Sequence, residues 1–237
     1  TSSNNGAYLT VSGDFYPPTS PTTQRVTVPL ANWISGPVNL MTPCDCANPI
    51  DIQAVVDAFQ AVNDNTTNSV ASDMFNKSTC PLPSEVTLPC GRYYFTGFKN
   101  NCNPVIITLS GRTVMAIEGD FSNNAQTNIV LDPGAELDLF ITGNVLFNSG
   151  IAIGRSDSAK SVRIYVGGTS QVKVTAASTL YGNLYIPSAE FYANNTFSMS
   201  GAIFANSIKY DAQLSVRYDE NVLTLDGCQP KTKTCTN

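Results

Sequence analysis

Asp138-Leu139-Phe140-Ile141-Thr142-Gly143 decides the fold, because the pattern occurs five times along the chain. A short apolar strand closes on a small turn residue in Val114-Met115-Ala116-Ile117-Glu118-Gly119 and in Arg163-Ile164-Tyr165-Val166-Gly167-Gly168. It does so again in Asn183-Leu184-Tyr185-Ile186-Pro187-Ser188 and Ala202-Ile203-Phe204-Ala205-Asn206-Ser207. The closing positions 119, 143, 168, 188 and 207 stand 24, 25, 20 and 19 residues apart. Further short strands follow, among them Val145-Leu146-Phe147 and Val172-Lys173-Val174, then Phe191-Tyr192-Ala193 and Leu214-Ser215-Val216. Several short strands per period of roughly 20–25 residues form the pattern of a solenoid. No unit can bury its own apolar face, and stacking buries it for all of them. Short strands, Gly/Asn corners and no helix inside the repeat predict an all-β, right-handed parallel β-helix. A β-sandwich would need hairpin dipeptides such as Asn-Gly or Asp-Gly, which are rare here. Asn194-Asn195 and Asn206-Ser207 are expected to turn corners in the left-handed region that Asn tolerates.

Working outward, residues 51–63 change period. Ile52, Val55, Val56, Phe59 and Val62 fall at helical spacing after Asn48-Pro49, which predicts one capping helix over an exposed end of the core. A polar run, 63–69, follows it. Towards the N-terminus, 7–15 alternates apolar and polar residues like a strand until Pro17, Pro18 and Pro21 break it. The expected organisation is therefore an extended arm at 1–42, a β-helix domain at 43–222 and a disulfide-bearing tail at 223–237.

Charged residues are only 13% of the 237, and the net charge is -5 with Lys and Arg scattered singly. No basic patch exists for phosphates, which argues against nucleic acid as a partner. No apolar run approaches the ~20 residues of a membrane span. Asn, Thr and Ser supply the polarity instead, giving a surface that tolerates close neighbours. The chain opens on Thr1 with no signal segment, read here as a mature chain after export.

Seven cysteines, Cys44, Cys46, Cys80, Cys90, Cys102, Cys228 and Cys235, occur with no histidine and no CxxC pair. Cys44-Asp45-Cys46 alone cannot complete a tetrahedral zinc site, so neither metal nor cofactor is expected and disulfides in an oxidising compartment are. Cys228 and Cys235 are expected to pair; partners for the other five are open, and one thiol is left over. Sequons stand at Asn65-Thr66-Thr67, Asn76-Lys77-Ser78 and Asn194-Asn195-Thr196.

The ordered set Pro43-Cys44-Asp45-Cys46, Leu88-Pro89-Cys90-Gly91-Arg92-Tyr93-Tyr94 and Gly111-Arg112-Thr113 resembles an uncharacterised domain of secreted and cell-surface proteins from myxobacteria and related bacteria. The likeness continues through Pro133-Gly134-Ala135-Glu136-Leu137-Asp138, Arg163-Ile164-Tyr165-Val166-Gly167-Gly168 and Gly182-Asn183-Leu184-Tyr185-Ile186-Pro187 to Val216-Arg217-Tyr218-Asp219. It implies a secreted or surface β-helical domain and brings no catalytic residues with it. A looser likeness, through Ser178-Thr179-Leu180-Tyr181-Gly182-Asn183-Leu184, is to β-helical ice-binding domains. Such a face needs a flat Thr ladder, whereas Thr175, Thr179 and Thr196 are scattered.

Without histidine, Ser-His-Asp and Cys-His sites are excluded. Carboxylate pairs remain, because β-helices host glycoside chemistry. Glu136 with Asp138, and Glu118 with Asp120, are the candidates, and the plainer reading makes them polar residues of a solvent face. Tyr93, Tyr94, Tyr181, Tyr185 and Tyr192 could form a sugar-stacking face or simply half-buried strand surface.

A solenoid leaves strand edges open at both ends. The arm, through Tyr8, Leu9, Val11 and Phe15, is expected to complete an edge by strand addition, in cis or in trans. Addition in trans is head to tail and open-ended. The expected function is a non-enzymatic, secreted, extracellular subunit that self-assembles into a filament, sheath or matrix layer. The alternatives are a monomeric surface adhesin or glycan-binding module, partnered by a glycan or surface protein, and a β-helical carbohydrate-active enzyme.

Overall fold

The computed structural model describes residues 50–76, 80 and 82–219, together with the backbone of three short strands before them. Those strands are β1 (Ser2–Ser3), β2 (Leu9–Ser12) and β3 (Val26–Thr27), and they precede α1 (Ile52–Ala61), the one α-helix among the described residues. The rest winds as a parallel β-solenoid of about six coils. Coil one holds β4 (Glu85–Leu88), β5 (Gly91–Phe95) and β6 (Phe98–Asn100). Coil two holds β7 (Val105–Leu109), β8 (Arg112–Ile117) and β9 (Phe121–Asn123). Coil three holds β10 (Thr127–Leu131), β11 (Glu136–Ile141) and β12 (Val145–Phe147). Coil four holds β13 (Ile151–Ile153), β14 (Val162–Val166) and β15 (Gln171–Val174). Coil five has only β16 (Ser178–Tyr181) and the long β17 (Asn183–Ala193); coil six has β18 (Phe197–Ser200) and β19 (Ile203–Tyr210), and β20 (Leu214–Arg217) begins another turn.

Three faces result. The first is the nine-stranded sheet β3-β2-β20-β18-β16-β13-β10-β7-β4. The second and third belong to one eleven-stranded sheet, because β17 and β19 run through the corner that separates them in earlier coils. That merger accounts for the shorter period of the last two repeats. Every pairing is parallel.

Alternation along each strand sends one set of side chains inward. On the first face Ile107, Ile129, Ile153 and Leu180 lie in register, 0%, 1%, 2% and 4% exposed. The corners are tight. Gly143 donates its N–H to Gly119 O at 2.9 Å, and a Cβ on Gly143 would lie 2.6 Å from that oxygen, so only glycine fits. Asparagine does different work from that expected. Among the described non-glycine residues only Ser69 has a left-handed backbone, and Asn206 lies inside β19. The corner asparagines instead bond from coil to coil: Asn124 Nδ2 donates to Asn101 Oδ1 at 2.5 Å, and Asn148 Nδ2 to Asn124 Oδ1 at 2.7 Å. Extended corners pair amides along the stack, and a left-handed turn is not needed.

Helix α1 starts under Asp51, whose carboxylate accepts from Ala54 N–H at 3.0 Å. Its place differs from that expected: it lies along the flank of the second face, not across an end. Ile52 and Val56 bury against Tyr94 and Ala116, which point outward from β5 and β8, and Phe59 packs on Phe140 of β11. Ten residues make a helix about 15 Å long, which matches three strand spacings of about 4.8 Å. The near end of the core is closed by the segment after the helix. Phe75, fully buried, packs 5.1 Å from Phe95 and 4.9 Å from Phe98, with Val70 and Leu82 in the same cluster.

Candidate functional site

Glu136 and Asp138 do share a face, as two-residue spacing requires, and the coils on either side supply their partners. Arg163 donates to Glu136 Oε2 at 3.0 Å and pairs with Asp138 Oδ1; Arg112 reaches Asp138 Oδ2 at 3.3 Å. Burial opposes the charge on Arg163, yet hydrogen bonds and attraction from Asp138, then Glu136, raise its pKa above the ordinary guanidinium value. Asp138 is 8% exposed, so the centre of the network is desolvated while Arg112 keeps part of its side chain in solvent, and together these residues stitch three coils. The other pair is split. Glu118 accepts from Tyr94 Oη, while Asp120 Oδ1 accepts from Asn144 N–H at 2.8 Å. These carboxylates hold strands and corners.

The tyrosines singled out in sequence do not form one exposed face, although Tyr94 and Tyr185 fall in the same outward column of the second face. Tyr93 is buried in the core, Tyr94 lies under α1, and Tyr181, Tyr185 and Tyr192 stand on the first, second and third faces. Tyr192 carries Lys173 and Lys209 near its ring and donates to Asp211 at 2.5 Å. Thr175, Thr179 and Thr196 are likewise dispersed; Thr175 bonds Phe147 O from a corner, and Thr179 lies on the first face.

A different column joins the aromatics. Phe140, Tyr165, Tyr185 and Phe204 follow one another outward on the second face. Phe140 and Tyr165 stack at 4.7 Å and 8°, Tyr165 meets Tyr185 edge-on at 6.1 Å, and Tyr185 stacks on Phe204 at 5.2 Å and 13°. Burial, then the Asp138 charge, raises the Tyr165 phenol. Stacked rings spend their faces on each other, so this column stiffens the solenoid more readily than it offers a ring face to a sugar. The signal was present in the repeats: the same outward position reads Ala116, Phe140, Tyr165, Tyr185, Phe204.

The ends carry the remaining candidates. At the near end, Asp64 N–H donates to Arg92 O at 2.7 Å and Asp64 Oδ2 accepts from Arg92 N–H at 2.8 Å. Asn65 then uses its side chain as a strand would, donating to Tyr94 O at 2.8 Å and accepting from Tyr94 N–H at 2.9 Å. Thr96 N–H reaches Ser72 O at 2.9 Å, and Lys99 N–H reaches Phe75 O at 2.7 Å. Cys80 and Cys102 form a disulfide with Cα atoms 5.5 Å apart, tying this cap to the corner after β6, and Cys90 is also disulfide-bonded. Cys44, Cys46, Cys228 and Cys235 lie outside the described residues.

At the far end the arm supplies the strands. Leu9 to Ser12 of β2 align with Leu214 to Arg217 of β20, β3 adds beyond β2, and β1 pairs with β19. Leu9 and Val11 thus belong to an added strand of the same chain; Tyr8 and Phe15 lie outside the described residues.

With this geometry in hand, residues 46–225 match a family described as a domain of unknown function, DUF7305. The chain belongs to the DUF7305 family. The DUF7305 match supplies a family without an activity, and it lends no support to a myxobacterial origin. No curated protein and no solved structure matches the chain at a significant level. Among the described residues no helix is long and apolar enough to cross a membrane, and no three His, Cys, Asp or Glu side chains group as metal ligands would.

Proposed function

We propose that this chain is an extracellular structural subunit, without catalysis of its own, that assembles head to tail by adding its N-terminal strand to the last coil of a neighbour. The observation that carries the reading is the pairing of β2 with β20, in parallel and in register over four residues. The added strand is remote in sequence from the edge it completes. The same hydrogen bonds can therefore form between copies, as in domain swapping and donor-strand addition. The Cys80–Cys102 disulfide supports an oxidising compartment, and the low charge of 13% supports close packing of subunits.

A second reading, a monomeric surface module that binds a glycan or surface protein, is favoured by the same pairing made within one chain. A carbohydrate-active enzyme gains nothing from Glu136 and Asp138, whose oxygens face Arg163 and Arg112. Cysteines at two in-register positions separate the first two readings. T10C/S215C, oxidised after secretion, is expected to give ladders of subunit multiples on non-reducing gels. Filaments seen by electron microscopy should vanish on deletion of residues 1–16. Cross-linked monomer alone, with compact single particles, would establish the monomeric module instead.

A further inference from the structure

We infer that the outer edge of β4 is the docking surface for the far end of a second copy, so that assembly runs along the first face. The inference rests on the reading of the chain as an assembling subunit and names the surface that reading needs. The near end presents three strand edges, and they are treated differently. The edges of β5 and β6 are closed by Asp64, Asn65, Ser72 and Phe75. Among the described residues β4 has β7 as its one strand partner and no hydrogen bond reaches its outer side.

The packing beneath β4 is also unfinished. Val86 begins the inward column that continues as Ile107, Ile129, Ile153 and Leu180. Those four are buried, whereas Val86 is half-buried although it packs on the same core. An open edge beside a half-covered apolar column is what one more coil would cover. Pro83 and Pro89 flank β4 and Glu85 is exposed, which limits a visitor to a short strand.

The fitting occupant is already in the chain. The first face runs without a break from β4 to β3, and every strand in it is parallel. A second copy's β3 laid against β4 continues the sheet in the same direction. Followed through the registers, the outward ladder that starts at Glu85 ends at Thr27. The contact thus sets Thr27 of one copy opposite Glu85 of the next. It joins two different patches, so it propagates and does not close on itself as a two-fold contact would.

The test pairs a block with a cross-link. Val86→Lys puts a charge under the edge strand, a substitution that opposes edge pairing. It is expected to shift assembled protein to monomer by light scattering, with the far-ultraviolet β spectrum retained. With the arm on its own solenoid, the two cysteines of T27C/E85C lie at opposite ends of one molecule, about 38 Å apart over eight strand spacings, so a disulfide between them joins two copies. Reductant-sensitive ladders from the double variant, and none from either single variant, are the expected result. This measurement stands even where Val86→Lys fails to fold. Assemblies that persist in Val86→Lys and give no 27–85 cross-link overturn the β4 surface and leave the subunit reading intact. A wild-type chain that stays monomeric at all concentrations overturns both.

Discussion

Asn65 does at the scale of one residue what a whole strand does elsewhere in the molecule. It is 6% exposed, and both ends of its amide are engaged by the backbone of Tyr94, 29 residues away. Asn65→Ala would strand a buried N–H and a buried C=O, each at a cost of about 1–3 kcal/mol. The expected outcome is a loss of about 2–6 kcal/mol in urea unfolding, with faster hydrogen exchange at the Tyr94 amide. Unchanged exchange there would remove Asn65 from the cap. None of this was legible in the sequence, where Asn65 opens a sequon within a polar run. A side chain that substitutes for a strand has no periodicity to read. Its amide nitrogen is committed to Tyr94, so a glycan at Asn65 is incompatible with the folded cap, while Asn194 is exposed.

Elements were easier to anticipate than their placement. The short strands of the repeat and the helix near 51–63 were legible because periods of 2 and 3.6 survive in local sequence. The flank position of α1 was not, since it depends on the outward set of each strand being apolar as well as the inward one. Tyr94, Ala116 and Phe140 make the second face apolar on both sides under the helix. That burial has a measurable electrostatic consequence. Burial first, and the hydrogen bond to Glu118 second, push the Tyr94 phenol up from 10.0 to about 12. Tyr93 is also held at about 12, by burial and the Asp64 charge. The folded state keeps these protons more tightly than the unfolded chain. Their contribution is complete below pH 10.0 and is lost as pH rises through about 12. Stability should therefore fall across that window, and Tyr94→Phe should flatten the fall in part, because Tyr93 still titrates. Urea midpoints measured across the window check this; an identical slope in Tyr94→Phe would place the alkaline transition elsewhere.

For the whole molecule, a solenoid passes stability only from coil to coil, so its ends set how far fraying travels. The sequence showed that ends must exist but not how they are closed, because each closure joins segments far apart in the chain. The far end takes strands from the first 27 residues, and the near end takes a loop pinned by a disulfide across 22 residues. A cross-link over a loop of that size contributes about 3 kcal/mol. In a one-dimensional stack that contribution acts locally. C80S/C102S should release the cap first, so native-state exchange at the Thr96 and Lys99 amides, which donate to Ser72 and Phe75, should rise by orders of magnitude. The amides of β10, two coils inside, should change far less, and the denaturant transition should broaden as the first coil melts ahead of the rest. An equal rise in every coil would mean that the stack unfolds as a single block, and the cap would then be a global clasp in place of a local one.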